Sequence, residues 1–83
     1  MKYPGDVVAT ALSRVRAGTL PCSRPTQEFG GPGEGTSCDV CKYPIDPKEM
    51  EIEAVYPEFG HLRLHATCMT ALKAACAQLH AQD

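Results

Sequence analysis

Four residues in the second half of the chain have side chains that bind metal ions, and they come as two pairs. Cys38 and Cys41 are separated by two residues, as are His65 and Cys68, and 23 residues lie between the pairs. Thiolate sulfur and imidazole nitrogen are the ligands that Zn²⁺ takes in tetrahedral protein sites. Four such ligands leave no open coordination position, so the pattern predicts one structural zinc ion rather than a catalytic one.

The stretch between the two pairs predicts the element that brings them together. Cys38 and Cys41 open a tight turn, and residues 49–56 alternate between apolar and mostly acidic side chains, as in a half-buried strand. A turn at residues 57–60 and a second strand at 61–64 complete a hairpin. The pattern predicts an inward face of Met50, Ile52, Ala54 and Tyr56 and an outward face of Glu49, Glu51 and Glu53, with His61 and Arg63 pairing with these glutamates.

A helix is predicted to follow the hairpin, over the alanine-rich residues 66–81. His65 and Cys68 would lie in its first turn on one face, and the helix N-terminus would stabilise the thiolate. The apolar stripe of this helix is Met69, Leu72, Cys76 and Leu79. The sequence therefore predicts a small α+β domain over residues 38–83 that zinc holds together.

The first half of the chain predicts one helix and a long loop. Asp6 is a good N-cap, Gly18 is a natural helix end, and residues 6–17 carry Val8, Leu12 and Val15 on one face. We therefore assign residues 1–18 to an N-terminal helix. Residues 19–37 are rich in glycine and proline and predict a loop, which Leu20 or Phe29 could attach to the core.

Composition limits the class of protein. A chain of 83 residues makes one domain with a small core, so a metal or disulfides should stabilise it, and its five cysteines are an odd number. Residues 1–6 contain no apolar signal-peptide region and no stretch predicts a membrane span, which favours a cytoplasmic location. The chain has a net charge of −2, whereas a typical nucleic-acid binder has an excess of basic residues.

The remaining cysteines and histidines receive non-ligand interpretations. Cys76 is eight residues beyond Cys68, too far along a helix to share the ion, and is interpreted as a small buried hydrophobe. Cys22 is interpreted as an incidental free thiol in the loop. His61 is the alternative to His65 as a ligand, although the hairpin should direct it away. A redox role for the Cys38–Cys41 pair remains open as an alternative to metal binding.

The stretch from Cys38 to Leu72 resembles treble-clef zinc fingers, in the order knuckle, hairpin and helix. Cys38, Cys41, Ile45, His65 and Cys68 match the poly(ADP-ribose) polymerase-type finger, and the first site of a LIM domain is also similar, although no second CxxC follows. The chain as a whole resembles small uncharacterised bacterial proteins through Leu20-Pro21, the glycine-rich residues 30–35 and Leu62 to Cys68. The resemblance implies the fold and the ligands. It also implies DNA binding through basic and apolar residues around the hairpin, where this chain carries Glu49, Glu51, Glu53 and Glu58 instead.

Four functions compete on this evidence. The first is a monomeric, non-catalytic zinc module that binds another, unknown protein in a bacterial cytoplasm. The alternative is DNA binding through a basic strip of Arg14, Arg16 and Arg24. A third function is phosphate or nucleotide binding by backbone N–H groups of residues 30–35, but this segment lacks the lysine of a P-loop. An enzyme has no support from any nucleophile or general-base pattern outside the ligands, so we expect none.

Overall fold

A computed structural model describes residues 6–81 and shows a small α+β protein. The predictions about residues 1–5, including the expectation that they form no signal-peptide region, lie outside the described residues, as do residues 82 and 83. The elements, in chain order, are α1 (Val7–Arg16), β1 (Gln27–Pro32), β2 (Met50–Tyr56), β3 (Gly60–His65) and α2 (Ala66–Ala81). None of the helices in the described part is long and apolar enough to cross a membrane.

The three strands form one antiparallel sheet in the order β1-β2-β3. The predicted hairpin and final helix are confirmed, but the prediction of a loop throughout residues 19–37 is wrong because β1 lies within it. Most side chains of β1 are exposed, so its sequence shows no alternating burial pattern. The strand exists because its backbone pairs with β2, with Gly30 opposite Ile52, and such long-range pairing leaves no local signal.

Helix α2 lies at the centre of the molecule and packs against both α1 and the β2–β3 hairpin. Its buried stripe includes Met69, Leu72 and Cys76, as the sequence predicts. One continuous core joins the two halves of the chain, and its members include Ala11, Leu20, Val40, Ile45, Ala54, Leu64 and Leu72. The N-terminal helix therefore shares the core of the second half.

Helix α1 has the ends that the sequence predicts. The Asp6 carboxylate accepts a hydrogen bond of 3.0 Å from the backbone N–H of Ala9, which satisfies a donor of the first turn. Gly18 ends the helix with a φ of +81°, a conformation that glycine adopts without steric cost. The predicted face of Val8, Leu12 and Val15 is partly buried against the core.

The two faces of the hairpin are only partly as predicted. Ala54 and Tyr56 are buried, and His61 pairs with Glu53 at 2.8 Å on the outward face. Met50, predicted to face inward, is 58% exposed where β2 begins opposite the exposed β1. Glu51, predicted to face solvent, is only 6% exposed, and its carboxylate lies 2.9 Å from the Arg63 guanidinium.

A disulfide between Cys22 and Cys76 joins the segment after α1 to the middle of α2. The interpretation of Cys22 as a free loop thiol is therefore wrong. Cys76 is buried, as the sequence predicts, but it is bonded to Cys22. The two residues are 54 positions apart in sequence, while their Cα atoms are 5.5 Å apart. The approach depends on tertiary packing, since Leu20 enters the core and carries the following residues onto α2.

Candidate metal centre

The first pair of candidate ligands lies on a tight turn that closes on itself. The N–H of Lys42 donates to the Cys38 carbonyl, and the N–H of Cys38 donates to the Tyr43 carbonyl, both at 2.9 Å. Lys42 takes a φ of +70°, which reverses the chain just after Cys41. The N–H of Val40 points at the Cys38 sulfur at 3.4 Å. The turn thus directs both sulfur atoms to one side.

The second pair lies at the junction of β3 and α2. His65 is the last residue of β3, and Cys68 lies in the first turn of α2. The prediction that both residues lie within the helix is therefore wrong by one position for His65. The outcome for the site is unchanged, because the strand end and the first helical turn present both side chains to the turn that carries Cys38 and Cys41.

The four side chains meet in one buried cluster that could hold a metal ion. Their ligand atoms all lie within 4.8 Å of one another, and all four residues are buried. In a tetrahedral site with metal–sulfur bonds of ~2.3 Å, sulfur atoms lie about 3.8 Å apart. The separations in the cluster exceed this spacing by no more than about 1 Å, so a small contraction of the side chains would place them around an ion.

The imidazole of His65 is oriented by groups outside the cluster. Its Nδ1 atom lies 3.4 Å from the Cys41 sulfur and 3.7 Å from the Cys68 sulfur. Its Nε2 atom lies 3.3 Å from the Pro44 carbonyl oxygen and 3.5 Å from a carboxylate oxygen of Glu49. A metal-ligating histidine commonly donates its second N–H in this way. Pro44 and Glu49 carried no sequence signal of this role.

The thiols of the cluster do not ionise equally. A hydrogen bond from the Cys68 thiol, with help from backbone N–H groups, lowers the pKa of Cys38 to about 4. The same hydrogen bond raises the pKa of Cys68, and burial raises the pKa of Cys41. The protein's own groups therefore favour one thiolate. Holding three thiolates together requires a cation among them, which a divalent metal ion supplies.

Two contacts attach the Cys38–Cys41 turn to the rest of the protein. The Nε–H of Arg14, on α1, donates to the Val40 carbonyl at 2.6 Å. Asp39 and Arg63 exchange two hydrogen bonds of 2.8 Å, one from the Asp39 N–H to the Arg63 carbonyl and one from the Arg63 N–H to the Asp39 carboxylate. The sequence did not identify Arg14 as a supporting residue.

The structure places the alternative site residues elsewhere. His61 lies on the outward face of the hairpin with Glu53, away from the cluster. The glycine-rich segment uses its amides internally, because Gly33 donates to the Glu49 carbonyl at 3.0 Å and Gly35 donates to the Ile45 carbonyl at 2.8 Å. Those two N–H groups are therefore not free to cradle a phosphate.

Similarity to known proteins does not assign this chain to a family. No family model matches it, and neither a curated protein nor a solved structure is similar to it. The likeness to polymerase-type and LIM-type fingers therefore rests on the motif alone.

Proposed function

We propose that this chain is a non-catalytic zinc finger of the treble-clef type that binds another protein. The observation that carries the proposal is the buried cluster of Cys38, Cys41, His65 and Cys68. One Zn²⁺ would be held there as a structural ion. The Cys38–Cys41 turn, the β2–β3 hairpin and α2 follow one another in the order of a treble clef.

The chemistry of the donor set favours zinc. Three sulfur atoms and one imidazole nitrogen suit a borderline-soft ion with tetrahedral preference, whereas calcium and magnesium require oxygen ligands. All four positions are filled by protein side chains in a buried site. No position remains for a substrate or an activated water, which is why we assign the ion a structural role and the protein no enzymatic one.

Protein binding is favoured over DNA binding by the distribution of charge. Arg14, the first member of the proposed basic strip, is partly buried and engaged by Val40. Arg24 lines a different cavity from Arg14, beside the disulfide. The outward face of the hairpin carries Glu51 and Glu53. Phosphate contacts need exposed lysine and arginine on one surface, and this arrangement offers few.

We place the protein, as a monomer, in a bacterial cytoplasm, where three metal-bound thiolates are compatible with the reducing conditions. The Cys22–Cys76 pair provides a direct test of this location, because most cysteine pairs stay reduced in reducing compartments. Alkylation of thiols in intact cells, followed by mass spectrometry, would report the state of this pair. Complete oxidation in freshly lysed cells would argue against a cytoplasmic location.

Metal analysis tests the zinc assignment. Protein expressed without added metal should contain one equivalent of zinc, and Co²⁺ substituted for it should give the intense visible bands of tetrahedral thiolate coordination. His65→Ala should lose these bands, while His61→Ala, a matched histidine outside the cluster, should keep them. Loss of the bands in His61→Ala alone would overturn the ligand assignment.

Fluorescence anisotropy with labelled duplex and nicked DNA tests the competing function. We expect no binding at low salt, where electrostatic attraction is strongest. Binding at micromolar or tighter affinity that weakens steeply with salt would instead establish the nucleic-acid function. Charge reversal at Arg16 and Arg24 would then locate the contact.

A further inference from the structure

The two edges of the sheet differ in what covers them. At the β3 edge, Asp39 pairs with the backbone of Arg63 through both its N–H and its carboxylate. Strand β1 pairs with β2 on one side only. On its other side, the backbone groups of Glu28 and Gly30 make no hydrogen bond to any group in the described part of the chain. An uncovered edge strand is a template for another strand.

The register shows which backbone groups of β1 face outward. The Gly33 N–H donates to the Glu49 carbonyl at 3.0 Å, and hydrogen-bonded pairs alternate from there along the ladder. Phe29 and Gly31 therefore face β2 with their backbone groups. Glu28 and Gly30 present an N–H and a carbonyl outward, and Pro32 presents a carbonyl.

Exposed apolar side chains flank this edge on both faces of the sheet. Phe29 is 54% exposed on the outward face, and Met50 is 58% exposed on the opposite face. The sequence had suggested Phe29 as an attachment of the loop to the core, but Leu20 has that role. Large apolar side chains beside open backbone groups are what an added strand would cover.

An acidic recess of about 230 Å³ lies beside the edge on the outward face. Its walls include the Phe29 ring and the carboxylates of Glu34, Glu51 and Glu53, with Arg63 supplying a guanidinium. Gly31 leaves space there, because a Cβ added to it would meet no atom within 4 Å. The three carboxylates outnumber the guanidinium, so the recess favours a cation.

Glu51 provides a second, independent sign of a missing partner. The residue is 6% exposed, and only its Oε2 atom contacts Arg63. Its Oε1 atom is buried without a hydrogen-bond donor in the described part of the chain. A buried carboxylate oxygen without a donor is unfavourable, and Glu51 is one of the residues that line the recess.

The geometry points to a docking site on the β1 edge for an extended, basic segment of a partner protein. The segment adds a fourth strand through Glu28 and Gly30, and a lysine or arginine side chain enters the recess between Phe29 and Glu34. A second copy of this chain is a poorer occupant, because it would bring its own carboxylates to an acidic edge. The inference names the partner surface of the protein-binding function proposed above and rests on it.

The test uses the zinc-loaded, full-length protein and a short peptide of alternating valine and lysine residues. We expect peptide-induced NMR shifts at the amides of Glu28 and Gly30 and in the neighbouring Phe29 ring. A matched peptide of valine and glutamate should not bind. The basic peptide with N-methylated amides at alternate positions should bind about tenfold more weakly or not at all, because it cannot complete the ladder.

Substitutions then distinguish binding at the recess from nonspecific binding to exposed aromatic side chains. Phe29→Ala should weaken binding about tenfold, whereas Tyr43→Ala, another exposed aromatic residue at 43% exposure, should leave it unchanged. Glu34→Gln should weaken it and reduce its salt dependence. Gly31→Val, which fills the recess, should abolish the lysine preference while the strand still binds.

The following outcomes would overturn the inference. Absence of shifts at Glu28 and Gly30 would exclude the edge, equal binding of the acidic peptide would exclude charge recognition, and concentration-dependent shifts at these amides without peptide would identify a second copy as the occupant. Shifts confined to another surface would retain the protein-binding function and reject this site. Failure to contain zinc, measured on the same sample, would reject the zinc assignment independently.

Discussion

The chain uses its five cysteines in two different ways. Cys38, Cys41 and Cys68 remain unpaired and buried beside His65 at one end of α2, while Cys22 and Cys76 form a disulfide farther along the same helix. The cluster joins the Cys38–Cys41 turn to the start of α2, and the disulfide joins the segment after α1 to its middle. The first set is expected to decide whether the second half folds, and the other how firmly the first half is attached.

Loss of a cluster ligand should have the largest effect. Cys68→Ser should unfold residues 38–81, because about 10 kcal/mol of zinc-binding free energy is typically coupled to folding and the remaining core is small. Amide NMR dispersion and metal content would measure this. Cys22→Ala should leave the fold and the zinc content intact. A folded hairpin in chelator-treated protein would contradict the coupling.

Thiol counting separates the two sets on one sample. In the oxidised, metal-loaded protein, we expect no rapidly reacting thiol, since three sulfur atoms are buried beside the metal and two are bonded to each other. A chelator should release three reactive thiols, and a reductant added afterwards should release two more. Five reactive thiols in chelator, before any reductant is added, would mean that the disulfide does not form.

Removing the disulfide should have the next largest effect. Its 54-residue separation gives about 4 kcal/mol in the chain-entropy account of crosslinks, so Cys22→Ala with Cys76→Ala should lower the free energy of unfolding by up to this amount. Denaturant titration with and without reductant would measure the change. An unaltered free energy of unfolding would show that packing of Leu20 and α1 suffices to attach the first half.

Gly33 packs closely against the segment that lies beside the metal cluster. A Cβ at this position would overlap the backbone carbonyls of Ile45 and Asp46, next to Pro44, which lies beside the His65 ring. Gly33→Ala should therefore cost about 2 kcal/mol and weaken zinc binding. Gly31→Ala is the matched control, because a Cβ there meets open space. Equal melting temperatures of the two variants would show that residues 44–46 move enough to accommodate the added methyl group.

Arg14 links the two regions and should have the smallest effect. Arg14→Gln removes the 2.6 Å hydrogen bond to the Val40 carbonyl and should destabilise the protein by about 1 kcal/mol, as measured by denaturant unfolding. Arg16, which is exposed at the end of α1, provides the control in Arg16→Gln. A larger effect of the control would indicate that helix propensity or surface charge, rather than the contact with the turn, is responsible.

Local signals in the sequence determined the elements around the cluster. The CxxC and HxxC spacings, the alternation from Met50 to Tyr56 and the apolar stripe of α2 each reflect contacts between near neighbours in the chain. The cap at Asp6 and the helix end at Gly18 are local in the same way. Short-range periodicity and spacing therefore sufficed to predict the hairpin, both helices and the meeting of the four candidate ligands.

Only the tertiary structure decided the features that depend on distant segments. The strand β1 has no periodicity of its own and forms because β2 offers it a ladder. The Cys22–Cys76 pair and the support from Arg14 join residues far apart in sequence. The sequence predicted that Arg63 pairs with the glutamates across the hairpin, but not that Glu51 is buried in this pair. Side-chain type limits which contacts a residue can make, but the three-dimensional packing of the helices and the sheet selects among them.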